Sequence, residues 1–280
     1  MSGTPVLPEG VHAPYMQPGT PLTPRNLQLQ ERRMVEMLEG IMEKAREFRV
    51  TIRALGSIAF RIKCPGHKHL EYLNGRYLTD IDFVARSKEI PGIQDMFFDM
   101  GWTENQTVLR LFGHKRRIFH HPEIPLHSDV FLDKLRFCHE IDFRKRLELD
   151  SPTVSVTDLL LEKLQIVEIN RKDLVDIMVL LSEYSISCDG SGTGCIDGSY
   201  IARLLSGDWG WWRTATENLR KTMDFSSEYL SGEDSATVRK RTTRILELVN
   251  GRSRTLKWKL RSLIGDRIKW YNEVEEVERD

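Results

Sequence analysis

The chain has 280 residues, no formal net charge at pH 7 and an ordinary share of apolar residues, so it can form one large domain or two smaller ones. No apolar run approaches the roughly 18 residues of a membrane helix, and no charged start with an apolar block indicates a secretory signal. Zero net charge argues against a broad, unspecific nucleic-acid binder. The four cysteines form no CxxC pair, which indicates reduced thiols in the cytoplasm.

The N-terminal segment is rich in proline. Residues 1–25 hold six of the eleven prolines and few large aliphatic side chains. This composition predicts a disordered or draped tail. A helix is expected over 27–48, where apolar residues recur at helical spacing with charges between them.

Helix and strand patterns then alternate over residues 26–150. The apolar spacing predicts a strand at 50–55, a helix at 58–63, a loop at 64–76, a strand at 78–85, a helix at 90–100, and strands at 116–120 and 126–132. We therefore expect an α+β fold, with a small mixed sheet flanked by helices.

The second half is predicted to be mostly helical. Helices over 155–168 and 172–184 would form a helical extension, residues 151–186, that completes the site. A glycine- and serine-rich linker is expected at 187–198, followed by a helical C-terminal domain over 199–280 with several tryptophans.

Basic and aromatic residues are interleaved near the C-terminus, over 239–271. This segment could contact RNA. The commoner alternative is a helix with a solvated basic face and an apolar stripe formed by Leu256, Leu260, Leu263, Ile264 and Ile268.

Two acids stand two residues apart in one predicted strand. Asp80 and Asp82 therefore point to the same face of the sheet. Two neighbouring carboxylates repel unless a cation lies between them, and their oxygens suit Mg²⁺ or Mn²⁺. The alternative is an exposed face of an edge strand.

Two further features strengthen the metal-site interpretation. Gly56 and Ser57 lie where a predicted strand gives way to a helix, and backbone N–H groups at such a point bind phosphate; an ordinary N-cap serine is the alternative. In the strand over 126–132, alternation places His127, Asp129 and Phe131 on the face opposite the core. Taken alone, this pattern is more typical of a half-exposed strand face, which is the alternative.

The order of strand, Gly-Ser, helix, Asp-x-Asp strand and later Asp resembles the polymerase-β-like nucleotidyltransferase superfamily. The longer run resembles bacterial nucleotidyltransferase-family proteins related to the abortive-infection AbiE toxin type. The resemblance covers roughly residues 50–185 and is carried by Leu55-Gly56-Ser57-Ile58-Ala59, Asp80-Ile81-Asp82, Ser128-Asp129-Val130-Phe131, 159–165 and 171–176. One departure is a longer segment between Ser57 and Asp80 than the family's motif has.

The resemblance implies roles for individual residues. Gly56 and Ser57 would hold the nucleotide phosphates, and Asp80 and Asp82 would bind the metal that carries the triphosphate. Asp129 would complete a second metal position and help to activate the acceptor. Downstream, Lys163 would reach the triphosphate, with Asp173 orienting that lysine or a bound base.

The expected reaction is transfer of a nucleoside monophosphate from an NTP, such as ATP, to a hydroxyl acceptor, with release of pyrophosphate and with Mg²⁺ or Mn²⁺ as cofactor. The acceptor would be an RNA end, a protein or a small molecule. A toxin role would add an antitoxin partner, and no membrane partner is expected. The alternatives are a nucleotide-binding module without turnover and a protein-interaction module of the same fold.

Overall fold

A computed structural model describes residues 4–11, 13–73, 75–187 and 194–274. The chain divides into two compact units. The first comprises Met1–Leu135 and Asp142–Val154, and the second comprises Arg136–Ile141 and Ser155–Asp280. The sequence placed a boundary near residue 150, and the observed division assigns the helices that follow Ser155 to the second unit.

The described residues form eleven α-helices and nine strands. The helices are α1 (Pro24–Glu47), α2 (Gly56–Lys63), α3 (His69–Leu73), α4 (Ile90–Asp99), α5 (Gln106–Phe112), α6 (Val156–Leu164), α7 (Arg171–Glu183), α8 (Gly198–Gly207), α9 (Trp209–Tyr229), α10 (Gly232–Gly251) and α11 (Leu256–Ile264). The strands are β1 (Ile52–Leu55), β2 (Asp82–Ala85), β3 (Thr103–Glu104), β4 (Arg116–His120), β5 (His127–Leu132), β6 (Lys134–Arg136), β7 (Glu140–Asp142), β8 (Ile186–Ser187) and β9 (Ile196–Asp197). No helix within the described part of the chain is long and apolar enough to cross a membrane.

A five-stranded mixed sheet organises the first unit, with strand order β1-β2-β5-β4-β3. β2 and β5 are parallel, and the other neighbouring pairs are antiparallel. The predicted combination of helices with a small mixed sheet is confirmed at this level.

One face of this sheet forms the main core of the unit. Ala54, Phe83 and Val130 lie on that face and pack in one apolar cluster with side chains of α1 and α4. The alternation predicted for β5 is confirmed, because Leu126, Val130 and Leu132 belong to this cluster. Asp129 therefore points to the opposite face.

The N-terminal segment is packed rather than disordered over its described residues. Leu7, Ala13, Met16 and Leu22 are buried in a second apolar cluster with Leu27 and Tyr72. The disordered alternative for residues 1–25 is therefore wrong for this part, and the draped alternative describes it. Proline content limits regular structure but does not prevent these four side chains from packing against α1 and α3.

Three features of the first unit differ from prediction. A short helix, α3, interrupts the predicted loop at 64–76. The strand predicted at 78–85 is regular only over β2, and Asp80 precedes it in a single bridge to His127. A helix that the apolar spacing did not reveal, α5, follows β3 and is capped by Asn105.

The second unit is helical, as predicted. α10 packs against α7, α8 and α9, and every residue of α6 is buried. The predicted linker at 187–198 falls partly outside the described residues, which stop at Ser187 and resume at Gly194; β9 and the first residue of α8 lie within the rest of it. The apolar stripe that the sequence indicates in and after α11 is exposed.

Candidate functional site

The turn between β1 and α2 places Gly56 against the carboxylate of Asp82. Gly56 has φ +72°, in the left-handed region that glycine adopts without a steric penalty. A Cβ atom at this position would lie 3.2 Å from Oδ2 of Asp82. The backbone therefore approaches the acid so closely that a Cβ atom at this position would require the carboxylate to move by a few tenths of an ångström.

Ser57 is the second residue of α2 and is half-buried. The N-cap of this helix is Leu55, which provides no capping side chain. The alternative of Ser57 as an ordinary N-cap is therefore not what the structure shows. Backbone N–H groups of the first turn are the part of a helix that binds anions, and here they begin beside Asp82.

Strand register brings the three predicted acids to one region of the sheet. Asp80 pairs with His127, and Phe83 pairs with Val130 at the same offset, which places Asp82 beside Asp129. Paired residues of neighbouring strands point to the same face, and residues two apart do so as well. Asp80, Asp82 and Asp129 therefore share the face opposite the core.

Basic side chains accompany the acids on this face. Arg116 of β4 forms an ion pair with Asp129, which is fully buried. The guanidinium also lies 5.3 Å from the ring centre of Phe131, its neighbour across the ladder. His127 Nε2 lies 3.9 Å from Oδ2 of Asp80. The guanidinium of Arg116 therefore offsets part of the negative charge of the three acids.

The donor set matches a hard divalent cation in chemistry but does not form a closed binding cluster. Carboxylate oxygens are the ligands that Mg²⁺ and Mn²⁺ prefer, and Asp80 and Asp82 share one face. Among the described residues, however, no group of three or more His, Cys, Asp or Glu side chains is arranged to hold a metal. Arg116 contacts Oδ2 of Asp129, so a cation at these acids would compete with the guanidinium for this carboxylate.

The downstream residues named by the sequence meet in the second unit. Lys163 is buried, with its Nζ atom 3.1 Å from Oδ1 of Asp173 and 3.1 Å from Oδ2 of Asp176. Glu162 lies 3.7 Å from the same nitrogen. Asp173 thus contacts Lys163, and Asp176 and Glu162 also lie close to the lysine nitrogen.

Sequence reasoning missed Arg116 and gave Asp176 little weight. Arg116 could have been found from alternation in β4, which places it on the same face as Ile118 and His120. Asp176 lies three residues after Asp173 in α7, at the spacing that brings side chains to one side of a helix.

Comparison with protein-family models and with curated proteins gives no match to this chain.

Proposed function

We propose that this chain is a metal-dependent nucleotidyltransferase of polymerase-β-like fold. It would transfer a nucleoside monophosphate from an NTP to a hydroxyl acceptor and release pyrophosphate. The observation that carries the proposal is the position of Gly56 against Asp82, with Asp129 beside that acid on the adjacent parallel strand. A helix start that could donate N–H groups to phosphate, and carboxylates that could bind a metal–triphosphate, support the proposal by their proximity.

In this proposal, different residues bind the phosphates, hold the metal and accept the proton. The first turn of α2, at Gly56 and Ser57, would donate backbone N–H groups to the phosphates. Asp80 and Asp82 would hold Mg²⁺ or Mn²⁺, which neutralises charge on the triphosphate when bound. Once separated from Arg116, Asp129 would accept the proton of the acceptor hydroxyl as that oxygen attacks the α-phosphorus.

The resemblance also implies nucleotide-binding roles for Lys163 and Asp173. Within the second unit, Nζ of Lys163 lies 3.1 Å from carboxylate oxygens of Asp173 and Asp176, so a phosphate oxygen would compete with these acids for the ammonium group. The acceptor needs only a free hydroxyl group, which an RNA end, a protein or a small molecule can provide. If the protein acts as a toxin, an antitoxin would be a further partner.

The test is to incubate the full chain with each α-labelled NTP and Mg²⁺, together with total RNA or protein extract, and to measure both labelled product and released pyrophosphate. We expect labelling by the wild type and none by Asp82→Asn. Asp95→Asn, a matched change at an exposed acid of α4, should retain activity. Equal labelling by wild type and Asp82→Asn would reject the proposed site.

A nucleotide-binding module without turnover is the second candidate. It is favoured by the ion pair between Arg116 and Asp129, because a guanidinium held against this carboxylate competes with a metal for its oxygens. This candidate predicts NTP binding that depends on Mg²⁺ and on Asp82, with no pyrophosphate release for any acceptor.

A further inference from the structure

Helix α11 turns its aliphatic side chains toward solvent. Leu256, Leu260, Leu263 and Ile264 recur at helical spacing and form one stripe, whose exposed fractions are 73%, 57%, 78% and 40%. Ile268, 59% exposed, follows after a short turn. These five side chains are called here the outer stripe. Single exposed aliphatic side chains are common on protein surfaces, whereas a cluster of them usually marks an interaction surface.

The opposite side of α11 explains why the stripe faces outward. Trp258 meets the ring of Trp212 edge-on, with their centres 5.1 Å apart. The guanidinium of Arg254 lies 5.1 Å from the centre of Trp258, and that of Arg261 lies 4.6 Å from the centre of Trp209. Aromatic and cationic contacts therefore hold this side against the rest of the second unit.

Positive charge borders the outer stripe on both sides. A rotation of about 100° per residue places Lys257 on one side of the stripe and Lys259 on the other. Both lysines are exposed, and neither forms a salt bridge with another described residue. The nearby acid Asp266 is already paired with Arg213. The chemistry that complements this border is negative.

A groove of about 550 Å³ runs beside the stripe and includes Leu260 and Ile264 in its wall. Trp209, Trp270 and Lys257 line it further. A groove next to an apolar stripe suits a bulky side chain that projects from a partner helix. A bilayer surface projects no such group, and a nucleic acid would leave the exposed leucines uncovered.

A second copy of the chain fits this surface poorly. Two such stripes packed face to face would bring lysine borders together, and like charges at an interface oppose association. The remaining occupant is a protein segment with its own aliphatic stripe and with acids on either side. We propose that the outer stripe docks an acidic amphipathic helix of a partner protein. The inference does not depend on the nucleotidyltransferase proposal.

Two fluorescein-labelled synthetic helices provide the test. Both carry leucines on one stripe; one has glutamates on the remaining positions and its twin has lysines. Binding to the full chain is followed by fluorescence anisotropy. We expect the glutamate peptide to bind and its twin not to bind. Leu260→Gln with Leu263→Gln should weaken binding by about tenfold or more. Lys257→Glu with Lys259→Glu should reverse the preference between peptides.

Two control variants carry the same types of substitution at positions outside the outer stripe. Leu111→Gln alters an aliphatic side chain that is 62% exposed, and Lys240→Glu alters an exposed lysine of α10. Neither should affect binding, and circular dichroism should show that every variant is folded.

Several results would overturn the inference. One is equal binding of both peptides; another is undiminished binding by the double glutamine variant. A concentration-dependent dimer that the glutamine changes abolish would assign the surface to a second copy. Binding to phosphatidylserine vesicles or to an oligouridylate, with the same leucine dependence and without peptide binding, would assign it to a membrane or to nucleic acid.

Discussion

Gly56 offers a direct perturbation of the proposed site. Replacement by alanine places a side chain on a backbone with φ +72°, where an L-residue costs about 1–2 kcal/mol. The new Cβ would also lie 3.2 Å from Oδ2 of Asp82, so that carboxylate would have to move by a few tenths of an ångström. Both the free energy of unfolding and the position of Asp82 should therefore change.

The magnitude can be stated for a thermal assay. A loss of about 1–2 kcal/mol corresponds to a fall in Tm of roughly 2–8 °C for a unit of this size. Nucleotidyl transfer, measured at a temperature where the variant remains folded, should fall much further, because Asp82 would be displaced from its position beside the proposed phosphate-binding turn.

Gly40→Ala is the matched control for Gly56→Ala. Gly40 lies exposed within α1, and a Cβ atom there meets nothing within 4 Å. Alanine is the better helix former by about 1 kcal/mol, so this change should raise Tm and leave activity intact. The reasoning would be refuted if Gly56→Ala matched the wild type in Tm and in transfer.

Two further predictions concern charged groups. Burial lowers the pKa of His139 from 6.5 to about 4. As pH falls, the unfolded chain therefore binds a proton at this histidine before the folded chain does. The free energy of unfolding should be at its full value above pH 6.5 and should decrease by about 3 kcal/mol toward pH 4. Denaturant titrations should show this slope, His139→Gln should reduce it, and an unchanged slope in that variant would disprove the assignment. Arg116→Met leaves the buried charge of Asp129 without its ion pair and should cost roughly 3 kcal/mol in EDTA. Mg²⁺ should then raise the Tm of this variant more than that of the wild type, and a Tm indifferent to Mg²⁺ would count against a cation at the acids.

Much of the first unit follows from local sequence patterns. Alternation in β5 correctly separates Val130, on the core side, from Asp129, and the strand before Gly56 does give way to a helix. These features depend on side-chain periodicity, which a strand or helix imposes on its own residues. The same logic places Asp80 and Asp82 on one face, although Asp80 lies in a bridge rather than in β2 itself.

Other features depend on long-range pairing that the sequence does not state. The ion pair of Arg116 with Asp129 requires the antiparallel register of β4 and β5. Likewise, the outward stripe of α11 depends on contacts of Trp258 and Arg261 with distant rings of α9, which outcompete burial of the leucines. Apolar periodicity predicts where such a helix lies in the sequence. It does not predict which side of the helix packs against the rest of the unit.

The central claim is that Asp80 and Asp82 hold a metal–nucleotide complex against the turn at Gly56. Isothermal titration of the full chain with a non-hydrolysable NTP, in Mg²⁺ and then in EDTA, tests it directly. The account predicts binding that requires the metal and disappears in Asp82→Asn, with Asp95→Asn unaffected. Binding of equal strength in EDTA, or undiminished binding by Asp82→Asn, would contradict it.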